Sequence, residues 1–221
     1  MFLPLLLSAW MTPLATAAPV AHDLGVWTAG FLQVDLHPET VVGARVWFDG
    51  HMRRTDTSFV GIVRPGLGVD LAQGVTVSGG VAWVPQVGDS TEGALRSEGR
   101  LWEQVLLQRP LGRVQASLRP RLEQRRLPDD SAWAHRGRLW GRLGIPLRPG
   151  VGLALSDEVF VGLRETDATP AGFDQNRLFL GPWLALGDGA RVEVGYLQAY
   201  LARDSGDSLV HTASTTFFAA F

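Results

Sequence analysis

Nine arginines fall between Arg109 and Arg142, at positions 109, 113, 119, 121, 125, 126, 136, 138 and 142, against three acids, Glu123, Asp129 and Asp130. Arg113, Arg119, Arg121 and Arg125 share parity with Glu123. Arg136, Arg138 and Arg142 share parity with Trp140. A strand sends alternate side chains to the same face, so each set forms one cationic row. Arg45, Arg100, Arg164, Arg177 and Arg191 are further candidates for an interior face, with Glu98, Glu123, Glu158 and Glu193 as partners. Two chemistries follow. Guanidiniums matched to carboxylates form a packed charge ladder. Guanidiniums in excess form a path that attracts phosphate or carboxylate solutes.

Hydrolytic chemistry is the second class the residues allow. His135 lies near Ser131, Asp129 and Asp130, and His211 near Ser208, Asp207 and Ser214. A serine nucleophile needs a histidine within hydrogen-bond reach and a third group to orient it. Neither cluster carries a motif that fixes this geometry, and such polar stretches are ordinary solvated loops. His22, His37 and His51 lack paired ligand spacing, so no metal is expected. The sequence has no GxxxxGK[ST] loop and no GxGxxG at a strand–helix junction, so no nucleotide cofactor is expected either.

These rows need strands to carry them. In residues 113–125, Val114, Ala116, Leu118, Pro120 and Leu122 oppose the charged row; in residues 136–145, Gly137, Leu139, Gly141, Leu143 and Ile145 do so. Period-two runs recur at 24–35, 41–52, 59–70, 75–84, 100–108, 151–164, 173–186, 191–202 and 209–221. None holds a helical stripe. That is about eleven strands, with ten or twelve also open because bacterial barrels usually have even numbers. Tight connections (37–40, 72–74, 109–112, 148–150, 187–189) alternate with longer ones (53–58, 85–99, 127–133, 165–172, 203–208). Outer-membrane barrels sort their connections in this way, short turns to the periplasm. The longest loop, 85–99, is a mobile extracellular loop or an inward-folding lid.

Composition narrows the class. The 221 residues contain no cysteine, which removes disulfide scaffolds, thiolate metal sites and cysteine nucleophiles. The net charge is −2, with 46% hydrophobic residues, which argues against a disordered or acidic chain. The basic stretch is no case for nucleic acid, because its arginines alternate into a barrel and an exported protein is in the wrong compartment. All 20 cations counted as Lys+Arg are arginine. Residues 1–18 read as an export signal, with a small-x-small site at Ala15-Thr16-Ala17 and cleavage near Ala17 or Ala18. The apolar run is too short to span a bilayer as a helix, which takes about 20 residues. Residues 19–221 then form one domain.

The expected fold is all-β: a closed antiparallel transmembrane barrel of about 10–12 strands. In lipid, every backbone N–H and C=O needs an internal partner, and a sheet supplies them only by closing. Trp27, Trp47, Trp83, Trp102, Trp133, Trp140, Trp183, Tyr196 and Tyr200 sit near strand ends, several suited to interface girdles, with Trp102 and Trp140 on the inward face. Phe221, on the final alternating run, resembles the signal read by barrel-assembly machinery.

Seven stretches follow in order: Asp23-Leu-Gly-Val-Trp27-Thr28, Glu98-x-Arg100-x-Trp102-x-Gln104, Arg119-x-Arg121-x-Glu123-x-Arg125, Arg136-x-Arg138 with Arg142 and Pro146-Leu147, Ser156-Asp157-Glu158-Val159-Phe160, Phe173-x-Gln175-Asn176-Arg177, and Gly195-Tyr196. Together they resemble an uncharacterised bacterial family of outer-membrane barrels, domain of unknown function 2490. Residues 38–95 match least. The resemblance implies location and fold, and supplies no catalytic residue.

The expectation is therefore an outer-membrane barrel in contact with lipid and, during insertion, with the assembly machinery. It is structural or a narrow passage for small polar or anionic solutes. Its lumen-lining charges are Arg100, Arg119, Arg121, Glu123, Arg125, Arg136, Arg138, Arg142, Glu158, Arg177 and Glu193. The alternatives are an outer-membrane hydrolase acting on lipid or envelope polymer, and a soluble β-rich periplasmic protein.

Overall fold

A computed structural model describes residues 20–36, 43–56, 58–88, 95–128, 130–203 and 206–221. The expected signal segment and the 37–40 turn lie outside the described residues. The described residues form eleven strands: β1 (Ala21–Asp35), β2 (Ala44–Thr55), β3 (Ser58–Ala72), β4 (Val75–Gly88), β5 (Arg96–Leu111), β6 (Val114–Arg126), β7 (Ala134–Arg148), β8 (Val151–Gly162), β9 (Gly172–Ala185), β10 (Ala190–Leu201) and β11 (Ser208–Ala220). They make one closed barrel in sequence order.

Consecutive strands pair antiparallel, but closure is parallel: β1 runs alongside β11 from Ala21↔Ser208 to Gln33↔Ala220. The closed barrel of about 10–12 strands is borne out at eleven, with this seam as its departure from antiparallel pairing. With an odd number of alternating strands, the first and last must point the same way. Ala21 therefore starts at one rim and Ala220 ends at the other.

The two rims differ. At one, Gln73-Gly74, Gly112-Arg113 and Pro149-Gly150 make two-residue turns. Gly74 has φ of 73°, and a Cβ there would meet the Gln108 carbonyl oxygen at 2.2 Å, so only glycine fits. At the other rim the connections are longer, except that β2 ends at Thr55 and β3 begins at Ser58, where the sequence predicts a longer loop over 53–58. The expected 85–99 loop is also shorter. Pro85 and Gln86 continue the β4 alternation and pair with Ser97 and Arg96 of β5.

Alternation sorts the faces. Outward rows hold exposed leucines and valines, among them Leu24 of β1, Leu67 of β3, Leu139 of β7 and Leu180 of β9. Inward rows hold the charge. Trp27 and Trp47 are buried inside and Trp183 lines the lumen, so these three are not girdle residues. Trp83, Trp133 and Tyr196 are the exposed aromatics of the expected set. Arg164 lies beyond β8, exposed in the connection to β9, and is not an interior residue. The period-two pattern persists to the strand's end and does not mark where it leaves the wall.

Candidate functional site: the charged lumen

The barrel interior divides into a packed charged half toward the long-loop rim and a cavity toward the short-turn rim. Glu123, mid-wall on β6, is fully buried. Its carboxylate accepts from Arg136 at 2.6 Å and Arg138 at 2.5 Å on β7, with Arg100 of β5 at 3.5 Å and Arg64 of β3 at 3.8 Å. Register explains the contact, because Glu123 stands opposite Arg136 and Trp102. Arg138 reaches on to Glu158 of β8 at 2.7 Å, and Arg119 approaches the same oxygen at 3.4 Å. Glu98 accepts from both Arg100 and Arg125, at 2.7 and 2.6 Å. Arg136 also meets Asp174 at 3.2 Å.

Two sequence-predicted arginines make their closest contacts with neutral partners, although Arg121 also stands 3.8 Å from Glu123. Arg121 donates to Gln104 at 2.9 and 2.6 Å and lies over the Trp102 ring at 5.0 Å. Arg177 meets the Gln175 side-chain oxygen at 2.8 Å once the amide is set in its bonded orientation, and lies over Trp27 and Phe160. Guanidiniums stack on aromatic faces because they are planar and weakly hydrated, which ammonium groups are not.

The sequence reading missed part of this network. Asp49 of β2 is fully buried against Arg64, which is 2% exposed. Trp47 Nε1 also donates to Asp49 at 2.9 Å, and His51 Nε2 lies 3.0 Å from it. The signal was present: Arg45, Trp47, Asp49, His51 and Arg53 share one parity. Together these groups fill their half of the lumen. Asp49, Arg64, Glu98, Trp102, Glu123 and Phe160 are all at most 2% exposed.

Below the network lies a cavity of about 760 Å³. It extends to the short-turn rim, where Arg113, Pro146, Gly189 and Ala220 line it. Arg142 of β7 and Arg191 of β10 share Glu193 there, at 2.5 and 3.1 Å.

The outer wall carries two polar pairs. Glu103 of β5 accepts from Gln124 of β6 at 2.8 Å, and Asp157 of β8 accepts from Asn176 of β9 at 2.5 Å. A third outward cluster sits at the seam, where His211 of β11 contacts His22 at 3.0 Å and Tyr196 at 2.5 Å.

Neither expected serine–histidine set assembles. His135 lies on the outward face of β7 in register with Gln124, while Ser131 donates to Asp167 at 3.1 Å. Asp129 lies outside the described residues. Asp130 is engaged within its loop: a hydrogen bond from Thr166 and one from the Ala132 amide at 3.0 Å hold its carboxyl below the usual range. At the second set, Ser208 and Ser214 share the parity of buried Val210 and Thr212, opposite to His211, and Asp207 accepts from Tyr200. Phe221 is exposed at the short-turn rim, its backbone bonded to Gln33 and Asp35 of β1.

Comparison with known proteins places residues 24–210 within a family described as "Protein of unknown function (DUF2490)". The chain is also 32% identical over 173 residues to an uncharacterised protein of Methylorubrum extorquens, covering 72% of each chain.

Proposed function

Because the chain belongs to the DUF2490 family of proteins of unknown function, we propose that it is a bacterial outer-membrane barrel with a lumen sealed on one side, a structural or binding protein without a through-passage. The observation that carries this reading is the burial of Glu123 among Arg136, Arg138, Arg100 and Arg64. Ions cannot pass a cross-section filled by mutually bonded side chains, and a barrel of this strand number is narrow enough to be filled. This reading takes the packed-ladder alternative over the solute path.

The membrane assignment is supported by inversion of the usual polarity. Charge lies inside, while exposed Leu67, Leu139, Leu143, Leu153, Leu180 and Leu184 face out. A closed ladder also satisfies the backbone in lipid. With short turns toward the periplasm, Phe221 lies on the side from which assembly machinery acts, and the cavity opens to the periplasm. The export signal and the location are part of this proposal.

Planar-bilayer recording of the refolded protein tests the seal. The expected result is no resolved conductance steps. Reproducible anion-selective steps, reduced when Arg119, Arg121 and Arg138 become Gln, would establish a channel instead. Fractionation tests the location separately: the protein should enter solution only with detergent.

A further inference from the structure

The cavity below the plug has a surplus of donors and few free acceptors. Glu193 is divided between Arg142 and Arg191, and Glu158 between Arg138 and Arg119. Arg113, at the mouth, has no carboxylate partner among the described residues. Arg119 Nε, Arg142 Nε and Trp183 Nε1 are buried without a hydrogen-bond partner, and all three residues line the cavity. The guanidiniums of Arg113, Arg142 and Arg191 thus bring more donors to the cavity than Glu193 alone takes up.

The same cavity has an aromatic wall. Phe31 of β1 and Phe218 of β11 stack across the parallel seam at 5.0 Å, with interplanar angle 9°. Arg191 lies over Phe218 at 4.1 Å, and Arg119 over Trp140 at 4.7 Å. Trp183, Phe179 and Trp47 extend the apolar surface. A cavity of about 760 Å³ falls within the ordinary range for small-molecule sites.

We propose that this cavity binds an organic monoanion with an apolar body, its carboxylate held by Arg142 and Arg191 and its body lying on the Phe31–Phe218 wall. A hydrophilic anion such as inorganic phosphate would leave the rings wet. A neutral apolar molecule would leave the donors unpaired. An aromatic acid and a medium-chain fatty acid share the required chemistry. The site does not depend on the membrane location, and conductance does not report on it.

Titration of the full barrel in nanodiscs, read by tryptophan fluorescence, tests this with 1-naphthoate, decanoate and the neutral 1-naphthalenemethanol. Saturable binding of at least one carboxylate is expected, with the neutral alcohol weaker by about tenfold or more. The better carboxylate identifies which source fits. Arg191→Gln, at the half-exposed mouth, should weaken carboxylate binding by about tenfold while leaving the alcohol unchanged. Ser117→Trp, on the cavity wall in register with Arg142, should abolish both. Equal affinity for the alcohol, no saturation with either carboxylate, or unaltered carboxylate binding in either variant that retains the folded barrel would overturn the proposal.

Discussion

Asp49 and Arg64 stand directly opposite each other in the β2–β3 ladder, and Arg64 Nη1 lies 3.1 Å from both oxygens of Asp49. Their strands therefore place a matched pair within the plug, joined to the Glu123 cluster through Arg64, 3.8 Å from Glu123. Removing one partner of a buried pair strands a charge and costs about 3–5 kcal/mol. Asp49→Asn should lower unfolding stability by that order in urea titrations of the folded barrel. The double change Asp49→Leu with Arg64→Leu should recover most of the loss, because an apolar pair leaves no stranded charge. Equal losses in single and double variants would show that the pair does not act as a unit.

The outer wall gives a prediction of opposite sign. Asp157 interrupts a column of Val151, Leu153, Leu155, Val159 and Val161 on β8, and accepts a hydrogen bond from Asn176. In a bilayer this carboxylate is a cost, though smaller than that of a lipid-facing arginine. Asp157→Leu should stabilise the barrel by about 1 kcal/mol in bilayers, measured by equilibrium unfolding from vesicles. A loss of stability would mean that the pair with Asn176 outweighs its exposure to lipid.

Inside, Trp102 lies against the backbone of β3. A Cβ on Gly66 would meet Trp102 Cζ2 at 2.4 Å and the Gly79 carbonyl oxygen at 2.8 Å. Trp102 is pinned by Nε1 donating to Val81 at 3.1 Å and by Arg121 above its ring. It cannot yield without disturbing the plug. Gly66→Ala should cost about 1–3 kcal/mol through overpacking and shift tryptophan emission to longer wavelength. An unchanged spectrum and stability would show the ring to be free to move.

Much of this architecture is legible in the chain. The charged rows at Arg119–Arg121–Glu123–Arg125 and Arg136–Arg138 alternate strictly, and the strands that carry them are β6 and β7. What alternation cannot carry is identity of the neighbour. Periodicity shows that Glu123 and Arg138 face inward, but only register brings them together across β6 and β7. Aromatic residues mislead for a related reason. Trp27 and Trp47 suit a lipid interface by type, yet parity with Ala29 and Asp49 puts them inside. The division into plug and cavity depends on side-chain length at each height, which binary patterning does not encode.

Closure itself is open to direct test, because the chain has no cysteine. Val26 of β1 and Ala213 of β11 are registered neighbours in the parallel seam and share the outward face. Adjacent strands lie about 4.8 Å apart, within the range that lets two cysteines bridge. Val26→Cys with Ala213→Cys should form an intramolecular disulfide on oxidation of the folded barrel, seen as a gel shift reversed by reductant. Val26→Cys with Phe217→Cys, displaced along the same strand, should not. An antiparallel closure of ten or twelve strands would bring different residues to Val26 and leave the first pair reduced. The order of cross-linking between the two pairs thus reads the direction of β11 against β1 without reference to any function.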